Sequence, residues 1–110
     1  MIEAKDAEKA IQWMVDNARK MAQDRANRLY MEQWIKTQKA TIQNEQMGLS
    51  AAAAESIALA DKRYLDALNA YKEAIERDEY NRFLLTAAEA KADTYRTQEA
   101  TRRAEIRGTT

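Results

Sequence analysis

Gln46-Met47-Gly48-Leu49-Ser50 is the one stretch inside the chain that carries a strong helix breaker. Gly suits the left-handed position just past a helix end. Ser50 is a good N-cap for a following helix, because its hydroxyl accepts from a free backbone N–H. Leu49 has only the polar Gln43 and Asn44 to pack back on, so the hydrophobic part of the motif is weak. A turn this short between two helices predicts an antiparallel hairpin.

The flanking residues agree. The 110-residue chain has no Pro, Cys or His, and its two Gly are Gly48 and Gly108. Ala, Glu, Lys, Arg, Gln and Leu, all good helix formers, dominate. Strand formers are scarce, with one Val (Val15) and one Phe (Phe83). The predicted fold is all-α: a long, coiled-coil-like antiparallel helical hairpin forming a single helical domain over residues 1–110. Its helices span 3–46 and 51–107, joined by a turn at 47–50.

Apolar spacing gives the faces. In the first helix Ala4, Ala7, Ile11, Met14, Ala18 and Met21 repeat every seven residues. The same phase then meets Arg25 and Arg28, so the stripe is predicted to shift to Ala22, Ala26, Leu29, Ile35 and Ile42. Such drift suits a nearly straight helix pair. In the second helix the stripe is Ile57, Tyr64, Leu68, Tyr71 and Ile75, resuming at Phe83, Leu84, Leu85, Ala88, Ala92 and Tyr95. Between them the polar run 77–82 marks a place for a kink or break near 78–81, which would give a three-helix arrangement. Neither Gly nor Pro stands there, so the reading favours continuity. Opposite charges four apart, such as Glu32–Lys36 and Asp78–Arg82, support the exposed faces.

A turn centred near Leu49 places Trp34 opposite Tyr64, Leu29 opposite Leu68 and Ile11 opposite Ala87. The first helix then runs out opposite Tyr95, and residues 96–107 are predicted to overhang without an intramolecular partner.

Charge and chemistry narrow the function. Eighteen basic side chains balance 18 acidic ones, whereas a general polyanion binder shows a basic excess. Locally, 51–90 is acidic and 91–110 mildly basic. Without His or Cys, the usual general base and the thiol nucleophile are missing. No Gly-rich phosphate loop is present. No catalytic, cofactor-binding or metal-binding residues are assigned, no cofactor is expected, and the chain is read as a non-enzyme. Glu73, Glu76 and Glu79 could face one side, but Lys72, Arg77 and Arg82 beside them make a salt-paired, solvated face the simpler reading. Met1-Ile2-Glu3-Ala4-Lys5-Asp6 enters a charged helix rather than a secretory leader. No run approaches the ~18 apolar residues of a membrane span. A cytoplasmic location, without membrane contact, is the expectation.

The candidate binding residues are Trp13, Tyr95, Arg96, Arg103 and Arg107. Trp13 lies beside the first stripe, where an exposed Trp is a candidate anchor for a partner. The alternative is that it caps the open end of the hairpin or sits in a dimer seam. Trp34 is assigned to the seam, and Met14, Met21, Met31 and Met47 to flexible filling. Arg96, Arg103 and Arg107 share one helical face and suit phosphates or an acidic protein surface. The plainer account, complementing the dipole at a helix C-terminus, covers Arg103 and Arg107 better than Arg96.

Tyr95-Arg96-Thr97, then Ala100 and Arg102-Arg103-Ala104-Glu105, resembles the C-terminal end of small helical proteins encoded by bacteriophages and prophages. The resemblance spans fewer than 20 residues. It implies an accessory or host-takeover protein that acts by binding, in the host cytoplasm, and it transfers no catalytic residue. The leading expectation is therefore a protein-interaction module that binds another protein and forms a homodimer or higher oligomer. The alternatives are an accessory factor of phage DNA recombination or replication that touches nucleic acid through the basic C-terminal helix, an inhibitor of a host defence nuclease, and a virion structural component.

Overall fold

A computed structural model describes residues 1–109. The chain is all-α, with α1 at Ala4–Asn44, α2 at Ala51–Ala60 and α3 at Lys62–Thr109. The turn forms as its residues predict. Gly48 has φ 83°, in the left-handed region, and the Ser50 hydroxyl accepts from the Ala53 amide at 3.2 Å. α1 ends at Asn44, two residues before the predicted boundary.

The returning chain does break, but not at 78–81. α3 runs through those residues without interruption. The break is at Asp61, whose ψ of 139° is extended. Asp61 closes one helix and opens the next. Its amide donates to Ala58 O at 3.2 Å, and its Oδ1 accepts from the Arg63 amide at 2.8 Å. A carboxylate in this position does locally what Gly or Pro would otherwise do.

The chain divides into two compact units, Ala22–Glu79 and Met1–Met21 with Tyr80–Thr110. In the first, Ile42 of α1 and Ala58 of α2 are fully buried, and Ala54, Ala67, Ala74 and Asp78 are nearly so. In the second, the buried residues are Ala7 and Ala10 of α1, and Asn81, Ala88 and Ala92 of α3.

These positions correct the predicted stripes. Along α1 the inward positions are 7, 10, 14, 17, 21, 24, 28, 31, 35, 38 and 42, an unbroken alternation of three and four. No phase change occurs. Polar Asn17, Asp24, Arg28 and Gln38 hold the seam where apolar residues fail. Ala4, Ile11, Ala18 and Leu29 face outward instead. On α3 the inward set is 67, 71, 74, 78, 81, 85, 88, 92 and 95, which leaves Leu68, Phe83 and Leu84 outside. Ala67, Ala74, Ala88 and Ala92 take buried positions in the α3 set, while Tyr71, Leu85 and Tyr95 between them are half-buried, so small and large side chains alternate.

The register also differs from simple apolar matching. Lys39 meets Glu55 at 2.9 Å, and Arg28 meets Asp78 at 3.0 Å and Glu79 at 2.8 Å. α1 covers 11 residues between those contacts, while the returning chain covers 23. α2 and the break at Asp61 take up the surplus. Trp34, assigned to the seam from sequence, is 38% exposed. Its ring stacks on Tyr30 of the same helix, with centroids 6.4 Å apart.

The seam assignment has a direct test. Ala58→Leu overfills a fully buried position and is expected to cost about 1–3 kcal/mol. Ile57→Ala, one residue away but exposed, is expected to cost less than ~1 kcal/mol. Thermal unfolding followed by circular dichroism measures both, and the opposite order would restore the stripe through Ile57.

Candidate interaction surface

The unit formed by Met1–Met21 and Tyr80–Thr110 carries the surfaces of interest. With positions 81, 85, 88 and 92 of α3 turned inward, the neighbouring stripe 80, 83, 84 and 87 is turned out. It repeats at i, i+3, i+4 and i+7, one continuous helical face. It holds Tyr80, 63% exposed, Phe83, 73% exposed, then Leu84 and Ala87. Beside it lies a groove of about 460 Å³. Ile2, Ala10 and Trp13 line one wall, and Leu84, Ala87 and Ala88 the other, with Asp6, Lys9 and Lys91 among the charged lining. Trp13 is half-buried here. Its backbone carbonyl accepts from Asn17 Nδ2 at 2.9 Å.

A second groove, about 380 Å³, is lined by Ala4, Ala7, Ile11, Ala92 and Tyr95, together with Glu8, Arg96, Glu99 and Arg103. The groove brings together Arg96 and Arg103, two of the three Arg set on one helical face by their spacing, and adds Tyr95 to them, while Trp13 lies in the other groove. Arg107 lines neither groove. It sits in the last turn of α3, where a cation complements the helix dipole.

The basic groups near this groove are engaged within their own helix. Arg96 pairs with Asp93 at 3.4 Å, and Arg102 with Glu99 at 2.9 Å. Arg103 Nε donates to the Glu99 carbonyl at 3.3 Å. The overhang predicted from residue 96 starts later. Gln98 and Glu99 are half-buried, and every described side chain from Ala100 onward is exposed. Met1 and Ile2 share a third groove with Thr97, Gln98 and Thr101. The later register, in which Lys20 reaches Asn81 at 3.5 Å, sets these residues beside the start of the chain.

Within the unit Ala22–Glu79 the chemistry is ion pairing. Arg28 links α1 to Asp78 and Glu79, so Glu79 belongs to a salt bridge and not to an acidic face with Glu73 and Glu76. No three carboxylates converge as metal ligands among the described residues. No helix among them is long and apolar enough to cross a membrane. Near the turn Arg63 forks onto both Glu45 oxygens, at 2.7 and 2.8 Å, and also bonds Asp61. Its side-chain hydrogen bonds hold the Glu45 and Asp61 carboxyls below their ordinary range. Lys39 does the same to Glu55.

With this geometry in place, comparison with known proteins finds no matching family, curated protein or solved structure.

Sequence reasoning singled out Trp13, which is half-buried in a groove wall, and missed Tyr80, Phe83 and Leu84 as surface residues. Two parallel stripes run along α3, and hydrophobicity alone favours the wrong one. The usable signal is that Asn81, Ala88 and Ala92 continue the three-four alternation of Ala67 and Ala74.

The lowered carboxyls set a pH dependence. A depressed folded-state pKa contributes stability above the ordinary carboxylate value of ~4, and that contribution is lost as pH falls through the folded value. Denaturant titrations from pH 6 to pH 2 are expected to show a steeper loss below about pH 4 in the native chain than in Arg63→Met. Equal slopes would show that the fork contributes nothing.

Proposed function

We propose that this chain is a non-enzymatic protein-interaction module that acts by docking a helix of its partner along α3. The exposed stripe Tyr80, Phe83, Leu84 and Ala87 beside the Trp13 groove carries this reading. Aromatic side chains on a rigid helix give large contact area at low entropic cost, and they dominate binding energies where such surfaces dock. Groups spaced i, i+3, i+4 and i+7 are the anchors of helix-to-helix recognition.

Contact with nucleic acid through the C-terminal helix is the weaker reading. Arg96, Arg102 and Arg103 already bond to groups of their own helix, and formal net charge is zero. The role that suits docking is that of an accessory or host-takeover protein of the bacteriophage type, which works by occupying another protein.

The test is comparative capture from the source cells with tagged native chain, Phe83→Asp and Arg96→Ala/Arg103→Ala. Binding that Phe83→Asp reduces by at least ~30-fold, a hot-spot effect, and that survives the double Arg change supports docking on α3. The reverse pattern would move the site to the second groove. A mobility shift with DNA that weakens steeply with salt would favour the nucleic-acid reading.

A further inference from the structure

We infer that the helix docking along α3 carries carboxylates beside its apolar anchors, and that Lys9 and Lys91 receive them from the two walls of the Trp13 groove. This rests on the docking reading above and adds the charge of the partner.

The two lysines belong to opposite walls of that groove, Lys9 to α1 and Lys91 to α3. Lys9 stands four residues before Trp13, and Lys91 four residues after Ala87, about one helical turn in each case. The two helices run antiparallel here, since Lys20 reaches Asn81 while Ile2 shares a groove with Gln98. One turn back along α1 and one turn on along α3 therefore lead the same way. Both ammonium groups follow the stripe Tyr80, Phe83, Leu84 and Ala87 by a turn, one from each side. Lysine stems lie against apolar walls and carry their charge out to water. The surface is thus aromatic and aliphatic along the stripe and cationic just beyond it.

These cations are available. Most basic groups of this unit are engaged: Lys5 with Glu3, Lys20 with Asn81, Arg96 with Asp93, Arg102 with Glu99 and Arg103 with the Glu99 carbonyl. Lys9 and Lys91 are exposed and make no ion pair or hydrogen bond among the described residues. Arg19 is also unpaired but does not line the groove. The one carboxylate in the groove lining, Asp6, turns back on its own chain. Its Oδ2 accepts from the Glu3 amide at 3.4 Å, in the first turn of α1, where negative charge complements the helix dipole.

An apolar stripe with two free cations beyond it is complementary to an amphipathic anion. A polynucleotide carries charge at every residue and would leave Phe83 and Leu84 uncovered. A helix with apolar anchors flanked by Glu or Asp covers the stripe and meets both lysines.

Two synthetic helical peptides serve as probes. Both carry leucines at i, i+3, i+4 and i+7, flanked at both ends by a turn of glutamates in one and of lysines in the other. Trp34→Phe leaves Trp13 as the single Trp, so groove occupancy is read by fluorescence titration in that background. The glutamate peptide is expected to bind at least ~5-fold tighter than the lysine peptide at low salt, with the gap narrowing as salt rises. Lys9→Glu/Lys91→Glu is expected to reverse the order, with helicity by circular dichroism unchanged. Lys5→Glu/Arg19→Glu, the same change in net charge away from the groove, is expected to preserve it.

Equal affinities, binding of neither peptide, an order kept in Lys9→Glu/Lys91→Glu, or an order reversed in the control would each overturn the inference. So would peptides bound alike beside a salt-sensitive DNA shift lost with Lys9→Glu/Lys91→Glu, which would make nucleic acid the anion. Its failure is separable from that of the docking reading. If both peptides bind alike and both are lost with Phe83→Asp, the docking face stands and only its preference for acid falls.

Discussion

Alanine in the seam is the constraint from which the rest follows. Ala7, Ala10, Ala58, Ala74 and Ala88 each present a single methyl to the facing helix. Between them Met14, Met21, Met31, Ile35 and Ile42 of α1 and Tyr71, Leu85 and Tyr95 of α3 take half-buried or buried positions, so small and large side chains alternate along the seam. Phe83, Leu68 and Ile57 lie at flanking positions and are exposed. Burying a methyl removes little area from water, so these alanines supply a modest share of the hydrophobic free energy available to the chain. The apolar face of α3 is the other side of that arrangement.

Alanines in a seam define register poorly, because one methyl resembles the next. The polar members supply what the methyls lack. The Asp78 side chain is only 9% exposed, and Arg28 reaches it across the pair while also holding Glu79. Shifting α3 by a turn would leave that carboxylate buried without its cation, a costly state. A buried pair of this kind adds little net stability against an apolar alternative, yet it penalises wrong alignments, the best-attested use of polar groups at such positions. At the closed end, Arg63 performs a related task by tying Glu45, beyond the end of α1, to the break at Asp61.

Local chemistry was legible in the sequence where one residue type decides the outcome. Gly48 and Ser50 announced the turn because few other residues satisfy a left-handed backbone and an N-cap. The break at Asp61 was not, since Asp caps a helix in one context and rides its surface in another, and only its bonds to Arg63 decide between them. Seam phase was illegible for a different reason. Hydrophobicity ranks Leu68 and Phe83 above Ala67 and Asn81, but close packing reverses that order. The same inversion hid the aromatic face. Arg96, Arg103 and Arg107 were grouped on one helical face by their spacing, and the groove takes Arg96 and Arg103 together with Tyr95 but not Arg107.

Gly48 has a practical consequence of a different kind. A side chain built there would meet nothing within 4 Å, and Met47 beside it is 90% exposed. The tip of the turn is thus shaped by its backbone angle and by the Ser50 cap. Loop-closure entropy grows only slowly with length, and exposed tips are the positions that accept added sequence. The connection between Met47 and Leu49 is accordingly a natural port. A peptide tag, a fluorescent domain or new termini placed there leaves the Ser50 cap, the Arg63 fork and the aromatic face of α3 in place.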